Sequence, residues 1–126
     1  MKKLNLFLSV FMVLFIASCA SKEPSVLEKK ITQYISFQGT DKRIVKDFNY
    51  KNNVNDLVEF ELVLQSEKEL ELEYKISWLD EDGFRLSSLN DEKFIAIKLK
   101  ANQEFILQRV AANKEATNFK ITIVKK

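Results

Sequence analysis

The sequence contains no histidine, and its 126 residues include one cysteine, one proline, two glycines and two methionines. Without histidine the chain lacks the commonest general base and the commonest transition-metal ligand. Copper sites built from His and Met are excluded as well, because Met1 and Met12 lie in the N-terminal segment discussed next. Gly39 and Gly83 are isolated, so there is no glycine-rich phosphate loop. These absences predict a protein that is not an enzyme and that holds no metal or other non-covalent cofactor.

The N-terminal residues have the layout of a secretory signal peptide. Lys2 and Lys3 precede an apolar run from Leu4 to Ile16, and small residues follow. The run is shorter than the roughly 20 residues that span a bilayer comfortably. We therefore predict a signal peptide over residues 1–18, with an uncleaved membrane anchor as the alternative.

The end of this run, Ile16-Ala17-Ser18-Cys19, resembles the lipobox of bacterial lipoproteins. The resemblance implies cleavage before Cys19 and attachment of a diacylglyceryl thioether and an N-acyl chain to it. Several acyl chains anchor a protein better than one, because each CH₂ buried in the bilayer adds about 0.8 kcal/mol to the free energy of membrane binding. Ala20 and Ser21 follow the cysteine, with no Asp at the second position of the mature chain, which by resemblance to enterobacterial sorting implies the periplasmic face of the outer membrane.

Removal of the signal peptide leaves a neutral chain. The two N-terminal lysines account for the excess of 20 basic over 18 acidic residues. A neutral domain gives no reason to expect nucleic acid as a partner. The expected partners are the membrane, through the lipid, and another protein of the cell envelope.

Residues 19–30 are polar, contain Pro24 and are predicted to be a tether. Residues 31–126 are predicted to form one domain. The segment 25–37 is ambiguous, because Ser25 and Glu28 fit a helical capping box while Ile31, Gln33 and Ile35 alternate as in a strand. Both alternatives stay open.

From Arg43 onward the apolar residues recur with a period of two, which is typical of β-strands. A short run with Val45 and Phe48 ends in the turn-rich "NYKNNVND". Two long alternating runs follow, and their apolar faces comprise Val58, Phe60, Leu62 and Leu64, then Leu70, Leu72, Tyr74, Ile76 and Trp78. We predict that these runs pair as a hairpin with the loop Ser66–Lys68, placing Leu64 opposite Leu70 and Phe60 opposite Tyr74.

Further short strands are predicted at Phe84–Ser87 and in the segments "FIAIKL", "EFILQRVA" and "NFKITIVK". Short strands separated by turns in a single domain are typical of a β-sandwich. The fold class predicted is therefore all-β, an antiparallel sandwich of about seven strands, with a short N-terminal helix as one alternative for residues 25–37.

The succession "YKISWLDEDGF" and "FILQRVAANKEATNFKITI" resembles the YcfL-like bacterial lipoproteins. In that family an aromatic-rich strand ends in Trp-x-Asp-x-x-Gly, and an Ala-rich loop ends in Ala-x-x-Phe. Trp78, Asp80, Gly83, Ala116 and Phe119 match this pattern. The resemblance covers about Arg43 to Val124 together with the lipobox. It implies an immunoglobulin-like sandwich of unknown biochemical role and brings no catalytic residues.

The stretch Asp80-Glu81-Asp82-Gly83 raises the question of a metal site. An EF-hand loop needs more acidic positions before the glycine and a Glu six residues after it, where Leu89 stands. Aspartate-nucleophile phosphatases need Thr or Val where Phe84 stands. Asp early and Gly late are typical of a β-turn. We predict a structural turn formed by Asp80, Asp82 and Gly83, with a weak calcium contact as the alternative.

A second acidic feature is the polar face of the two long runs. In the predicted hairpin Glu61 lies opposite Glu73, and like charges in that position are destabilising. Either a neighbouring strand brings lysines, or the face is kept acidic for a basic partner; a solvated face that discourages aggregation is the simplest interpretation. The candidate interaction face comprises Glu59, Glu61, Glu71 and Glu73, together with Glu69 in the same stripe.

These observations predict a lipid-anchored, non-catalytic protein of the cell envelope that acts in protein interaction or envelope support. The alternative is a domain that binds or hydrolyses glycans such as peptidoglycan through the Glu-rich face.

Overall fold

The computed structural model describes residues 23–86 and 93–126. Within these residues lie one α-helix, one short 3₁₀ helix and seven β-strands. In chain order they are α1 (Val26–Tyr34), β1 (Ile35–Gln38), the 3₁₀ helix (Lys42–Ile44), β2 (Val45–Asn52), β3 (Val58–Leu64), β4 (Leu70–Leu79), β5 (Ile95–Leu99), β6 (Phe105–Val110) and β7 (Asn118–Lys125). The predicted signal peptide, Cys19 and Ser87 lie outside the described residues.

The strands form two sheets, one with the order β1-β7-β4-β5 and the other with the order β2-β3-β6. Their apolar faces meet in a single core, which confirms the predicted all-β sandwich. One pair differs from the expected antiparallel arrangement, because β1 runs parallel to β7 with Ile35 beside Ile121. Parallel neighbouring strands need a long connection. Here the connection from β1 to β7 consists of the whole chain from the 3₁₀ helix to β6.

The ambiguous N-terminal segment contains both alternatives in succession. Ser25 Oγ accepts a hydrogen bond from the Glu28 backbone N–H at 3.1 Å, which caps α1. Ile31 is buried on the inner side of the helix, and Ile35 then begins β1. The helix therefore occupies five residues of the predicted tether and packs against the sandwich.

The predicted hairpin between β3 and β4 is wrong, because the two strands lie in different sheets. β3 pairs with β2 and β6, whereas β4 pairs with β5 and β7. The segment between them crosses from one sheet to the other, and the Gln65 N–H donates to the Ile44 carbonyl at 2.8 Å on the way. The alternating pattern shows only that one face of each strand points toward the core. Two strands that pair in one sheet have this pattern, and so do two strands of different sheets that face each other across the core.

Two of the predicted short strands also differ from the structure. β2 extends over Val45–Asn52, although only Val45 and Phe48 in it are buried, so the apolar residues alone did not indicate its full length. The loop after it is compact: the Asn53 side-chain oxygen accepts hydrogen bonds from the backbone N–H groups of Asn55 and Leu57. In the predicted strand Phe84–Ser87, the described residues form a single bridge, between Arg85 and Leu79.

The core is organised around Phe119 of β7, which is 1% exposed. Its ring stacks on Phe60 of β3 and on Tyr34 of α1, each with ring centroids 4.8 Å apart. It also meets Phe48 of β2 and Trp78 of β4 edge-on, at 6.1 and 5.8 Å. Such arrangements are favourable beyond the area that they bury. One ring thus joins both sheets and the helix.

Tyr34 lies at the rim of this cluster, with its ring centroid 4.5 Å from that of Tyr50. Burial, followed by hydrogen bonding with Tyr50, raises the pKa of Tyr34 to about 12. The neutral phenol is therefore the form that the fold favours.

We predict that Phe119→Ala lowers the free energy of unfolding by about 3–5 kcal/mol, because the cavity would open where the two sheets and α1 meet. Urea denaturation monitored by Trp78 fluorescence measures the loss. Phe84→Ala is the matched control, since Phe84 is 71% exposed and its truncation should change stability by less than about 0.5 kcal/mol. If Phe119→Ala unfolds the chain outright, Phe119→Leu should show a smaller loss. Equal effects of the Phe119 and Phe84 variants would contradict this account of the core.

Candidate functional site

The stretch Asp80–Phe84 forms a tight turn at the end of β4. The Asp80 carboxylate accepts hydrogen bonds from the backbone N–H groups of Asp82 and Phe84, at 3.0 and 2.9 Å. The Gly83 N–H donates to the Asp80 carbonyl at 3.0 Å, and Gly83 has a φ of +85°. Glycine adopts this conformation without steric cost. The Asp80 carboxylate therefore serves the turn, while Glu81 and Asp82 lie exposed.

The turn also fixes Trp78, the last inward-facing residue of β4. The chain reverses so that the Leu86 N–H donates to the Trp78 carbonyl at 2.9 Å, and the indole is fully buried. Trp78 packs against Phe60 and Phe119, with ring centroids 6.0 and 5.8 Å away. Its position is that of a core residue, as the alternation predicted.

Among residues 23–86 and 93–126, no group of three carboxylate, cysteine or histidine side chains is arranged to hold a metal ion. In the same part of the chain, no helix has the length and apolar content needed to cross a membrane.

The predicted interaction face does not form a single surface. Glu59 and Glu61 belong to β3 in the three-stranded sheet, whereas Glu71 and Glu73 belong to β4 in the four-stranded sheet. The two outer surfaces of a sandwich face in opposite directions. The predicted opposition of Glu61 and Glu73 is wrong for the same reason that the hairpin is wrong.

Lysines from other parts of the chain accompany several of these carboxylates. Three ion pairs join Lys51 to Glu59 at 3.4 Å, Lys98 to Glu69 at 2.8 Å and Lys126 to Glu73 at 3.6 Å. Hydrogen bonding and charge from Lys98 hold the pKa of Glu69 below its usual value. The acidic stripe could be balanced by lysines from elsewhere in the chain or kept acidic for a basic partner. For Glu59, Glu69 and Glu73 the first explanation holds, because each forms an ion pair with a lysine.

Glu61 has a different environment. It lies in one cross-strand row between Asn49 of β2 and Gln108 of β6. The three side chains border a shallow open depression of about 290 Å³, together with the Lys51–Glu59 pair. A carboxylate between two carboxamides offers donors and acceptors to a polar ligand.

Sequence reasoning missed Asn49, Gln108 and Lys51 because they come from strands that flank β3 in space. The prediction had assigned β4 to that place. The residues "NYKN" were interpreted as a loop from their composition, although Asn49 and Lys51 occupy outward positions of β2. The alternation of β6, in which Phe105 and Leu107 face the core and Gln108 therefore faces outward, was the available signal.

The fold and this surface define a small β-sandwich protein whose polar residues lie on open sheet faces. The chain belongs to the DUF1425 family, described as a protein of unknown function, whose pattern matches residues 30–125. No curated protein matches the chain.

Two solved structures are similar. The Campylobacter jejuni protein cj0090 shares 34% identity with a TM-score of 0.67, over 73% of this chain and 97% of that chain. A DUF1425 family member from Shewanella sp. pv-4 shares 17% identity with a TM-score of 0.51, over 63% of this chain and 73% of that chain, and shows the common fold.

We predict that Gly83→Ala lowers the free energy of unfolding by about 1 kcal/mol, because an L side chain is strained at this φ. A Cβ at Gly83 would have no other atom within 4 Å, so the loss would come from the backbone and not from a clash. Gly83→Asn is the matched control and should lose less, since Asn tolerates positive φ. Denaturation curves measure both variants. A calcium dissociation constant for the parent protein tighter than about 1 mM would contradict a purely structural turn.

Proposed function

We propose that this protein is a lipid-anchored, non-catalytic component of the bacterial cell envelope, similar to the YcfL-like lipoproteins, and that its sandwich serves protein interaction or envelope support. The observation that carries the proposal is Ile16-Ala17-Ser18-Cys19 at the end of the apolar run Leu4–Ile16. Cys19 is the single cysteine of the chain, so lipidation would use the one thiol available.

The start of the folded domain fits this proposal. Ser25 caps α1 only six residues after Cys19. Ile31 then fixes the helix in the core. An acylated Cys19 would therefore hold the sandwich close to the membrane surface through a short link.

The outer faces support an interaction role better than a catalytic one. Glu61 lies exposed on an open sheet face, and no histidine is available to act with it. A catalytic carboxyl acid needs a shielded environment that raises its pKa. The polar side chains of both sheets instead offer charge and hydrogen bonds to another protein.

We predict that Cys19→Ala moves the protein from the membrane fraction to the soluble fraction of the envelope, because the acyl chains would have no attachment point. Fractionation and immunoblotting of cells that express each variant measure the distribution. Ser18→Ala is the matched control and should stay in the membrane, since it keeps a small residue before the cysteine. Retention of the Cys19→Ala protein in the membrane would refute the anchor.

A second candidate, glycan binding, is favoured by the row of Asn49, Glu61 and Gln108 beside the depression. Titration with soluble muropeptides, followed by NMR of labelled protein, separates the two functions. The interaction proposal predicts no concentration-dependent shifts at these three residues, and recovery of the same envelope protein in repeated cross-linking of intact cells. Saturable shifts at the row, with Glu71 and Glu73 of the other sheet unaffected as internal control, would establish the glycan function instead.

A further inference from the structure

We propose that the sandwich stands on the bilayer with one defined end, the basal end, and that the partner of this end is an anionic lipid surface. The basal end comprises the start of α1, the loops 39–44, 65–69 and 100–104, and residues 125–126. The opposite, distal end comprises the loops 53–57, 80–85 and 111–117. The inference rests on the lipid anchor proposed above.

Contacts between the basal segments show that they meet at one end of the molecule. A Cβ on Gly39 would lie 3.1 Å from Lys125 Cβ, so the first loop abuts the end of β7. The Asn102 N–H donates to the Ser66 carbonyl at 2.7 Å, which joins the second and third loops. Lys46 and Glu104 form an ion pair beside them.

The helix begins at this same end. Lys42 Nζ lies 3.7 Å from Glu28 Oε2 in the first turn of α1. Five residues lie between Cys19 and the cap Ser25, so the six residue steps that join them span at most about 20 Å. The ten residues of β4 alone span about 33 Å. A lipid on Cys19 therefore cannot lie at the distal end, and it must enter the bilayer near the basal end.

Charge distinguishes the two ends, although the mature chain is neutral. The basal end, with the first turn of α1 counted as Val26–Lys29, carries seven basic and five acidic side chains. The distal loops, together with Lys93 just before β5, carry three basic and five acidic side chains in the described part of the chain. An anionic leaflet attracts the first set and repels the second, with a range of about one Debye length, close to 8 Å at physiological salt.

Three basal cations are available for lipid headgroups. Lys68, Lys100 and Lys125 are exposed and take part in none of the ion pairs within 4 Å in the described part of the chain, although the charge of Lys100 also acts on Glu69. At the distal end, Glu81 and Asp82 are likewise exposed on the turn after β4. The short link and the charge distribution therefore favour the same orientation, and the distal loops point away from the membrane.

The test uses the full lipidated protein, reconstituted in phosphatidylcholine vesicles with and without phosphatidylglycerol. A fluorophore is attached to an introduced cysteine at Ala101→Cys in a basal loop or at Ala112→Cys in a distal loop, both exposed positions. A nitroxide on the lipid headgroup quenches nearby fluorophores. We expect several-fold stronger quenching at position 101 than at position 112. Equal quenching at the two positions, or stronger quenching at 112, would overturn the orientation.

Matched charge reversals test the role of the lysines. Lys68→Glu with Lys125→Glu should reduce quenching at position 101 in vesicles that contain phosphatidylglycerol. Arg85→Glu with Lys114→Glu changes the net charge equally at the distal end and should leave that quenching unchanged. A loss of equal size in both double variants, or in neither, would refute an anionic surface as the partner.

Failure of the anchor gives a different result from failure of the orientation. Protein that does not float with the vesicles in a density gradient would refute both the proposed anchor and the proposed orientation. Protein that floats but shows equal quenching at the two labels would refute the orientation alone.

Discussion

The packing of Phe119 between the two sheets is the contact on which the rest of the structure depends. The ring stacks on Phe60 in one sheet, meets Trp78 in the other and stacks on Tyr34 of the helix. A small domain buries only a modest share of its surface, so a few large rings supply much of its hydrophobic stabilisation. Because α1 is attached through the same cluster, the core also fixes where the N-terminal link leaves the domain.

Local features of this fold could be predicted from the sequence, whereas strand pairing could not. Alternation placed Phe60 and Trp78 in the core, and the chemistry of Asp80 and Gly83 identified the turn. Each of these depends on neighbours within a few residues. The partner of β3 depends on residues more than forty positions away in β6, and the apolar pattern is compatible with pairing or with packing across the core.

The candidate surface was partly hidden for the same reason. Four glutamates were predicted to share one face, and the two sheets separate them. Lys51 and Lys98 come to Glu59 and Glu69 from strands that the local pattern did not connect with them. Asn49 and Gln108 flank Glu61 only because β2 and β6 lie on either side of β3. Residue types were readable in the sequence, but their spatial combination required the pairing.

The chain belongs to the DUF1425 family, and we propose that a short link at the basal end holds its sandwich to the membrane. The central functional claim is that Cys19 carries the lipid that makes this link. Mass spectrometry of the N-terminal peptide from protein extracted from membranes tests it most directly. The account predicts a peptide that begins at Cys19 and bears a diacylglyceryl and an N-acyl group. A mature chain with an unmodified Cys19, or one that begins at another residue, would contradict it.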